Sequence, residues 1–303
     1  MRLLSARAAA LSALTGGAAA IAFSPIFVRL TETGPAAAGF WRLALALPAL
    51  APMAWRSNAT SSGGLAGPSP MTLVAGLFFA LDLGFWHYGV KLTTIANSTI
   101  LANLSPAVVT LGAWLLLGER PPGWRFVAGL LLAIAGVWAI AAARGGGAGL
   151  DPQLGDALSL TTALWYAGYM LAVRKARAMR SAAQVMLWSS AAGAPLLLLA
   201  ALALHEPIIP AGPGGWLACM GLGVVHVAGQ GLIAWALGRL PAATASVVVL
   251  VQPVLSAVLG WLVFAEPMTP LQILGGGAAL AGVVLAQIAA ARAAAAGAPV
   301  ASP

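Results

Sequence analysis

Several side chains capable of chemistry sit in stretches that are otherwise apolar. Asp82 lies within the run 71–90, with Phe79 three residues before it and Trp86 four after. Helical spacing puts all three on one face. A carboxylate between two rings at membrane depth suits a substrate amine or a coupling proton; the plainer role is a structural pair with a nearby polar group. His226 falls in the run 215–237, with Gln230 one turn further on. Imidazole titrates near neutral pH. Asp82 and His226 are therefore the two candidates for proton coupling and for lining a midplane cavity, and a histidine bonded to a neighbouring helix is the alternative. Thr161, Trp165 and Tyr169 recur every four residues. Such a face suits an apolar or aromatic solute, or ordinary helix packing. Ser98, Asn103 and Ser105 in the run 94–117, and Gln252 in 242–264, add neutral hydrogen-bonding groups. These are what a polar or zwitterionic substrate needs, and equally what holds helices together in lipid.

The elements that must position these groups follow from composition. The chain has 303 residues, 61% hydrophobic and 7% charged. A soluble domain carries roughly 25% charged residues, so a soluble fold is excluded and lipid is the solvent. Reading for apolar runs of about 20 residues predicts ten spans. They cover 8–28, 36–55, 71–90, 94–117, 124–143, 156–173, 182–204, 215–237, 242–264 and 271–290. The expected fold class is an all-α integral membrane protein. The first run resembles a signal peptide in its flanking Arg2 and Arg7, but its length and the nine runs after it make it a span.

Other classes drop out. The net charge of +8 comes from dispersed arginines, not a nucleic-acid patch. Cys219 is the single cysteine, and His87, His205 and His226 are far apart, so no metal motif forms. No Walker motif and no His-Glu-x-x-His occur, which argues against ATP hydrolysis and metalloenzyme chemistry. No cofactor is expected. The expected partners are a small-molecule substrate and the lipid bilayer. Oligomeric state is left open, a monomer being compatible with everything above.

With a cytoplasmic N-terminus, eleven of the fifteen basic residues fall on the inner side, against Arg29, Arg42, Lys91 and Arg144 at the outer side. The positive-inside rule then places both termini in the cytoplasm. Sliding the chain by 147 residues superimposes Trp41 on Trp188, Pro48 on Pro195, Pro106 on Pro253, Trp114 on Trp261 and Glu119 on Glu266. Each half holds five spans, an odd number, so the halves are inverted relative to each other, a recurring plan of secondary transporters. The expected units are 1–147 and 148–290, with 291–303 as a disordered cytoplasmic tail. Pro106 and Pro253 break the backbone ladder in corresponding spans, and paired breaks of this kind point to the binding site. Arg42 reads as a snorkelling group or helix tie. Glu119 and Glu266 read as structural ties near the start of the helix that follows each.

The segments Ala96-Asn-Ser-Thr-Ile-Leu-Ala-Asn-Leu-Ser-Pro106 and Leu115-Leu-Leu-Gly-Glu-Arg120, with the second copy Pro241-Ala-Ala-Thr-Ala-Ser246, Gln252-Pro253 and Glu266-Pro267, resemble the drug/metabolite transporter superfamily. Within it they look like the EamA-like ten-helix exporters, related to amino-acid exporters, and Arg42 in Phe40-Trp41-Arg42 also fits. The resemblance implies two inverted five-helix repeats and a cavity lined mainly by spans one, three, four, six, eight and nine. Asn103-Leu-Ser105 departs from the aromatic residues of the aromatic-amino-acid exporter branch. The expectation is a secondary transporter of the cell inner membrane, exporting small neutral or zwitterionic metabolites, amino acids first, by alternating access. A multidrug exporter is the runner-up; an intramembrane enzyme or a channel is the different-class alternative.

Overall fold

The computed structural model describes residues 2–57, 67–117, 123–142, 150–237 and 251–296. Every regular element among them is a helix. Span one is α1 (Arg2–Ala22) and α2 (Ser24–Leu30); span two is α3 (Pro35–Ala44) and α4 (Leu47–Arg56). Span three is α5 (Pro70–Leu92), and span four is α6 (Ile95–Ala102) with α7 (Ser105–Leu117). Then come α8 (Trp124–Ala142), α9 (Pro152–Arg177), α10 (Ala182–Ala203), α11 (Pro213–Leu237), α12 (Val251–Phe264) and α13 (Pro270–Ala296). Six stretches are long and apolar enough to cross a membrane, and α6–α7, α8 and α12 are shorter apolar helices. With α9, whose ends are polar, these make the ten spans. The first part of the ninth expected run, the boundary near 147, and the tail beyond Ala296 lie outside the described residues. The alanine-rich segment 291–296 continues α13, where a tail was expected, as suits the best helix former.

Prolines explain the breaks. Pro25 and Pro48 sit in the first turn of α2 and α4, where a missing N–H is harmless and the fixed φ favours a helix start. α7 likewise opens just before Pro106. Polar caps begin other helices: Ser69 with Thr72 on α5, Thr94 on α6, Asp151 on α9, Ser181 with Gln184 on α10, and Thr269 with Gln272 on α13. Each satisfies N–H groups that lipid cannot.

The packing follows the repeat. α5 lies on α9 as α11 lies on α1, α10 contacts α5 as α3 contacts α11, and α8 lies along its own repeat partner α13. The fold is two inverted five-helix repeats packed about a pseudo-two-fold axis. Span one is integral to it: Ala10 and Leu14 are buried against Ala236.

α8 and α13 meet through glycines. A Cβ on Gly129 would stand 2.6 Å from the Ala286 nitrogen, and one on Gly275 2.8 Å from the Gly136 oxygen. Backbones this close leave no room for a side chain, the usual device of membrane helix pairs. Gly129→Val should therefore destabilise the bundle by about 1–3 kcal/mol. Gly277→Ala should not, because a Cβ there meets nothing within 4 Å. Circular-dichroism melts in detergent check this; equal melting temperatures for the two variants would refute the close packing.

Candidate functional site: two buried charges among aromatic rings

Arg42 projects from the last turn of α3 and is 3% exposed. Its Nε and Nη1 are buried with no hydrogen-bond partner, and its guanidinium lies 5.9 Å from the centre of the Trp86 ring. Asp82, one turn before Trp86 on α5, is 6% exposed. The two charges are within electrostatic reach of each other and of Tyr166 and Tyr169 on α9. They do not touch: among the described residues the ion pair within 4.0 Å is Arg29–Glu266. A buried guanidinium with two unpaired nitrogens beside a separate carboxylate is costly in isolation.

Rings wall this pair. Phe79 stacks on Tyr169 at 4.5 Å and on His226 at 5.4 Å. Tyr166 lies 5.8 Å from Tyr169. His226, from α11, places a ring nitrogen 3.1 Å from the Ser190 hydroxyl of α10. The offset that superimposes the repeats carries Phe79 onto His226. The stack of these two rings therefore marks where the pseudo-two-fold axis passes.

One end of the bundle is tied by polar contacts. Arg29, at the end of α2, donates Nε to Val90 O at 2.8 Å, Nη2 to Thr93 O at 2.6 Å and Nη1 to Glu266. Glu266, 3% exposed, accepts from Ile95 N at 2.9 Å. Four spans, one, three, four and nine, thus converge on one ion pair. Nearby, Glu206 accepts from Ala37 N at 2.9 Å, from Ala36 N at 3.3 Å and from the Tyr88 hydroxyl. A carboxylate at that helix start meets its positive end. Lys91 donates to Thr33 O, and Thr93 Oγ1 lies 2.6 Å from Asp156.

The expected site residues separate into two groups. Phe79, Asp82, Trp86, Tyr169 and His226 come together around Arg42. Trp165 lies beside the group, its ring 5.5 Å from Phe85 and its Nε1 buried without a partner. Ser98 instead bonds Ser159 at 2.9 Å, tying α6 to α9. Asn103 donates to the Thr99 carbonyl four residues back, at the proline break. Gln230 and Gln252 are half-buried. Glu266 accepts from the first N–H of α6, beside the Thr94 cap, and Thr269 caps the following helix α13; Glu119 lies outside the described residues. Arg42 does not snorkel, since it is buried; it lies against Trp86 of α5, with Nε and Nη1 free of hydrogen bonds. Tyr166 and Ser190 were not singled out. The available signal was that Arg42 lies more than one helical turn inside the predicted span 36–55. A shallow apolar groove between α12 and α13, lined by Pro253, Trp261 and Gly276, lies apart from these residues and offers no charged group.

An inverted-repeat helical bundle with opposite charges buried at the repeat interface defines a membrane transporter. Residues 8–142 and 153–287 each match the EamA-like transporter family, and the chain belongs to that family. Over 207 residues it is 27% identical to the pseudopaline exporter CntI of Pseudomonas aeruginosa strain PAO1, covering 68% of this chain and 71% of that one. The same exporter from strain UCBPP-PA14 matches equally. A protein of known crystal structure shares the fold with a TM-score of 0.62 and 23% identity, over 95% of this chain and 98% of the other. The chain is a multi-pass membrane transporter, not an enzyme.

The Arg29–Glu266 tie should hold its end of the bundle shut. In a Cys219→Ala background, a cysteine at Ala96, beside the tie and buried, reports on opening. Glu266→Ala strands Arg29 and the Ile95 N–H, and should raise labelling by a membrane-impermeant thiol reagent about tenfold, equivalent to about 1.4 kcal/mol. Glu266→Gln keeps an acceptor for Ile95 and should raise it less. Unchanged labelling in both would show that the tie closes nothing.

Proposed function

We propose that the protein exports small zwitterionic metabolites, amino acids first among them, across the cytoplasmic membrane by alternating access. The observation that carries this reading is the pair of opposite buried charges, Arg42 and Asp82, held near each other without contact. Nε and Nη1 of the guanidinium are free, and each shares with Nη2 an edge that a carboxylate fills with two parallel bonds. Asp82 supplies the counter-charge for an ammonium. Phe79, Trp86 and Tyr169 exclude water and cover the apolar part of the cargo, as ligand sites generally do. Kinship with an exporter of a small metabolite, pseudopaline, supports the direction and the size class.

In this reading both termini are cytoplasmic, from the eleven basic residues on one side. The end tied by Arg29, Glu206 and Glu266 is then the outer one. Asp82 can hold either the cargo ammonium or a proton, so exchange of one for the other would drive export. The units are the two repeats on either side of residue 147. A broad multidrug exporter would also use the aromatic walls, but it would not need Arg42.

Counterflow of tritiated L-amino acids in proteoliposomes tests the assignment. Arg42→Lys should reduce saturable uptake at least about tenfold, because an ammonium cannot reproduce the bidentate grip. Asp82→Asn should do the same for zwitterions while sparing cargo that carries a carboxylate and no amine. Full activity in both variants discards the reading, and export of lipophilic cations undiminished in Arg42→Lys would favour the multidrug alternative.

A further inference from the structure

His226 holds one more polar atom without a partner. It is 1% exposed, and its ring is fixed on two sides, by the Phe79 face at 5.4 Å and by Ser190 Oγ at 3.1 Å from Nε2. Nδ1 is buried and makes no hydrogen bond. Among the described residues, Arg42 is the charged side chain whose field reaches this ring.

The Ser190 hydroxyl decides which ring nitrogen carries the hydrogen. A serine inside a helix ordinarily donates to a carbonyl three or four residues back. Ser189 does this, with Met186 O at 3.2 Å. Ser190 makes no such bond, and among the described residues its Oγ has His226 alone. Ser190, with no backbone acceptor for its hydrogen, is taken as the donor to Nε2; one buried hydrogen stays unpaired in either tautomer, and in this one it lies on the ring. A neutral imidazole that accepts at Nε2 carries its hydrogen on Nδ1. The free atom of His226 is thus a donor. It joins Arg42 Nε and Nη1, which are also buried donors without partners. Asp82 is the one carboxylate among these groups. The cluster therefore offers a neutral donor on α11 in addition to the charged donors of Arg42 on α3.

We propose that His226 determines specificity by donating from Nδ1, as a neutral imidazole, to a second oxygen acceptor of the cargo. The class of cargo is then an amino acid or amino-acid derivative that carries an amide, carboxylate or hydroxyl oxygen beyond the carboxylate held by Arg42. The inference rests on the zwitterion reading above. It assigns His226 a recognition role and leaves proton exchange to Asp82.

Two substitutions separate donation from proton carriage. The side-chain amide of asparagine reaches about as far as Nδ1, and that of glutamine about as far as Nε2. Neither titrates. Tritiated L-glutamine and L-methionine, of similar length, serve as probes in proteoliposomes of the full chain. The wild type should prefer glutamine. His226→Gln should lower that preference about tenfold, the size of one hydrogen bond, and His226→Asn should keep most of it with the same dependence on external pH as the wild type. A His226→Gln variant with undiminished preference overturns the inference, as does a wild type that moves both probes equally or a His226→Asn variant whose pH dependence is lost. A wild type that moves neither probe overturns the zwitterion reading, and this one with it. A spectroscopic readout stands independently of transport. In the chain labelled with 15N-histidine, His226, identified by its loss in His226→Asn, should show a protonated Nδ1 and a bare Nε2. A protonated Nε2 overturns the proposal.

Discussion

A guanidinium inside a lipid-embedded bundle cannot be left to water. Arg42 is buried, the nearest opposite charge belongs to Asp82, and no direct contact joins them. Closing the gap would give a satisfied structural pair and a rigid core. Leaving it open keeps the cost of two partly compensated charges, several kcal/mol per buried ion before compensation. The surrounding structure has to support that cost. The ring stack Tyr169–Phe79–His226 holds α9, α5 and α11 together beside the pair. The close-packed α8–α13 pair, by contrast, contributes stability at a distance from the charges and needs no polar group at all.

The end contacts answer a different constraint. Each helix end exposes backbone donors and acceptors without partners in the helix. Arg29 takes the carbonyls at the end of α5, and Glu266 takes the first N–H of α6. The two then neutralise each other. Glu206 does the same for α3. Glu32 likewise accepts from Gly212 N at 2.8 Å, just before α11, so three carboxylates each meet a helix start of the opposite repeat.

Much of this was legible in the sequence because lipid simplifies the signal. Apolar runs marked the spans, and the Trp, Pro and Glu matches at an offset of 147 marked the inverted repeat. The face Phe79–Asp82–Trp86 followed from helical period alone. What could not be read was contact between helices. Ser98 and Asp82 are both polar residues in apolar runs, yet one meets Ser159 and the other meets no donor among the described residues, and nothing in either local sequence distinguishes them. Arg42 was misjudged for the same reason. Its position near a span end suggests snorkelling, whereas the packing of α3 against α5 and α10 encloses it.

The scaffold is symmetric and the site is not. The offset of 147 carries Arg42 onto Ser189, Asp82 onto Gly229 and Phe79 onto His226. Both charges thus come from the first repeat, while the second has a hydroxyl, a glycine and an imidazole ring at the matching places. A fully duplicated site would bury two guanidiniums and two carboxylates, doubling the desolvation cost for one cargo. Stacking Phe79 on its own repeat partner puts the proposed site on the pseudo-two-fold axis. A group on that axis is equally distant from both ends of the bundle. When the repeats exchange conformations, the backbone around it is replaced by its symmetry equivalent and the charges keep their place. Alternating access needs a site fixed at the centre and gates that change; duplication of the helices provides the gates, and divergence of a few side chains provides the site.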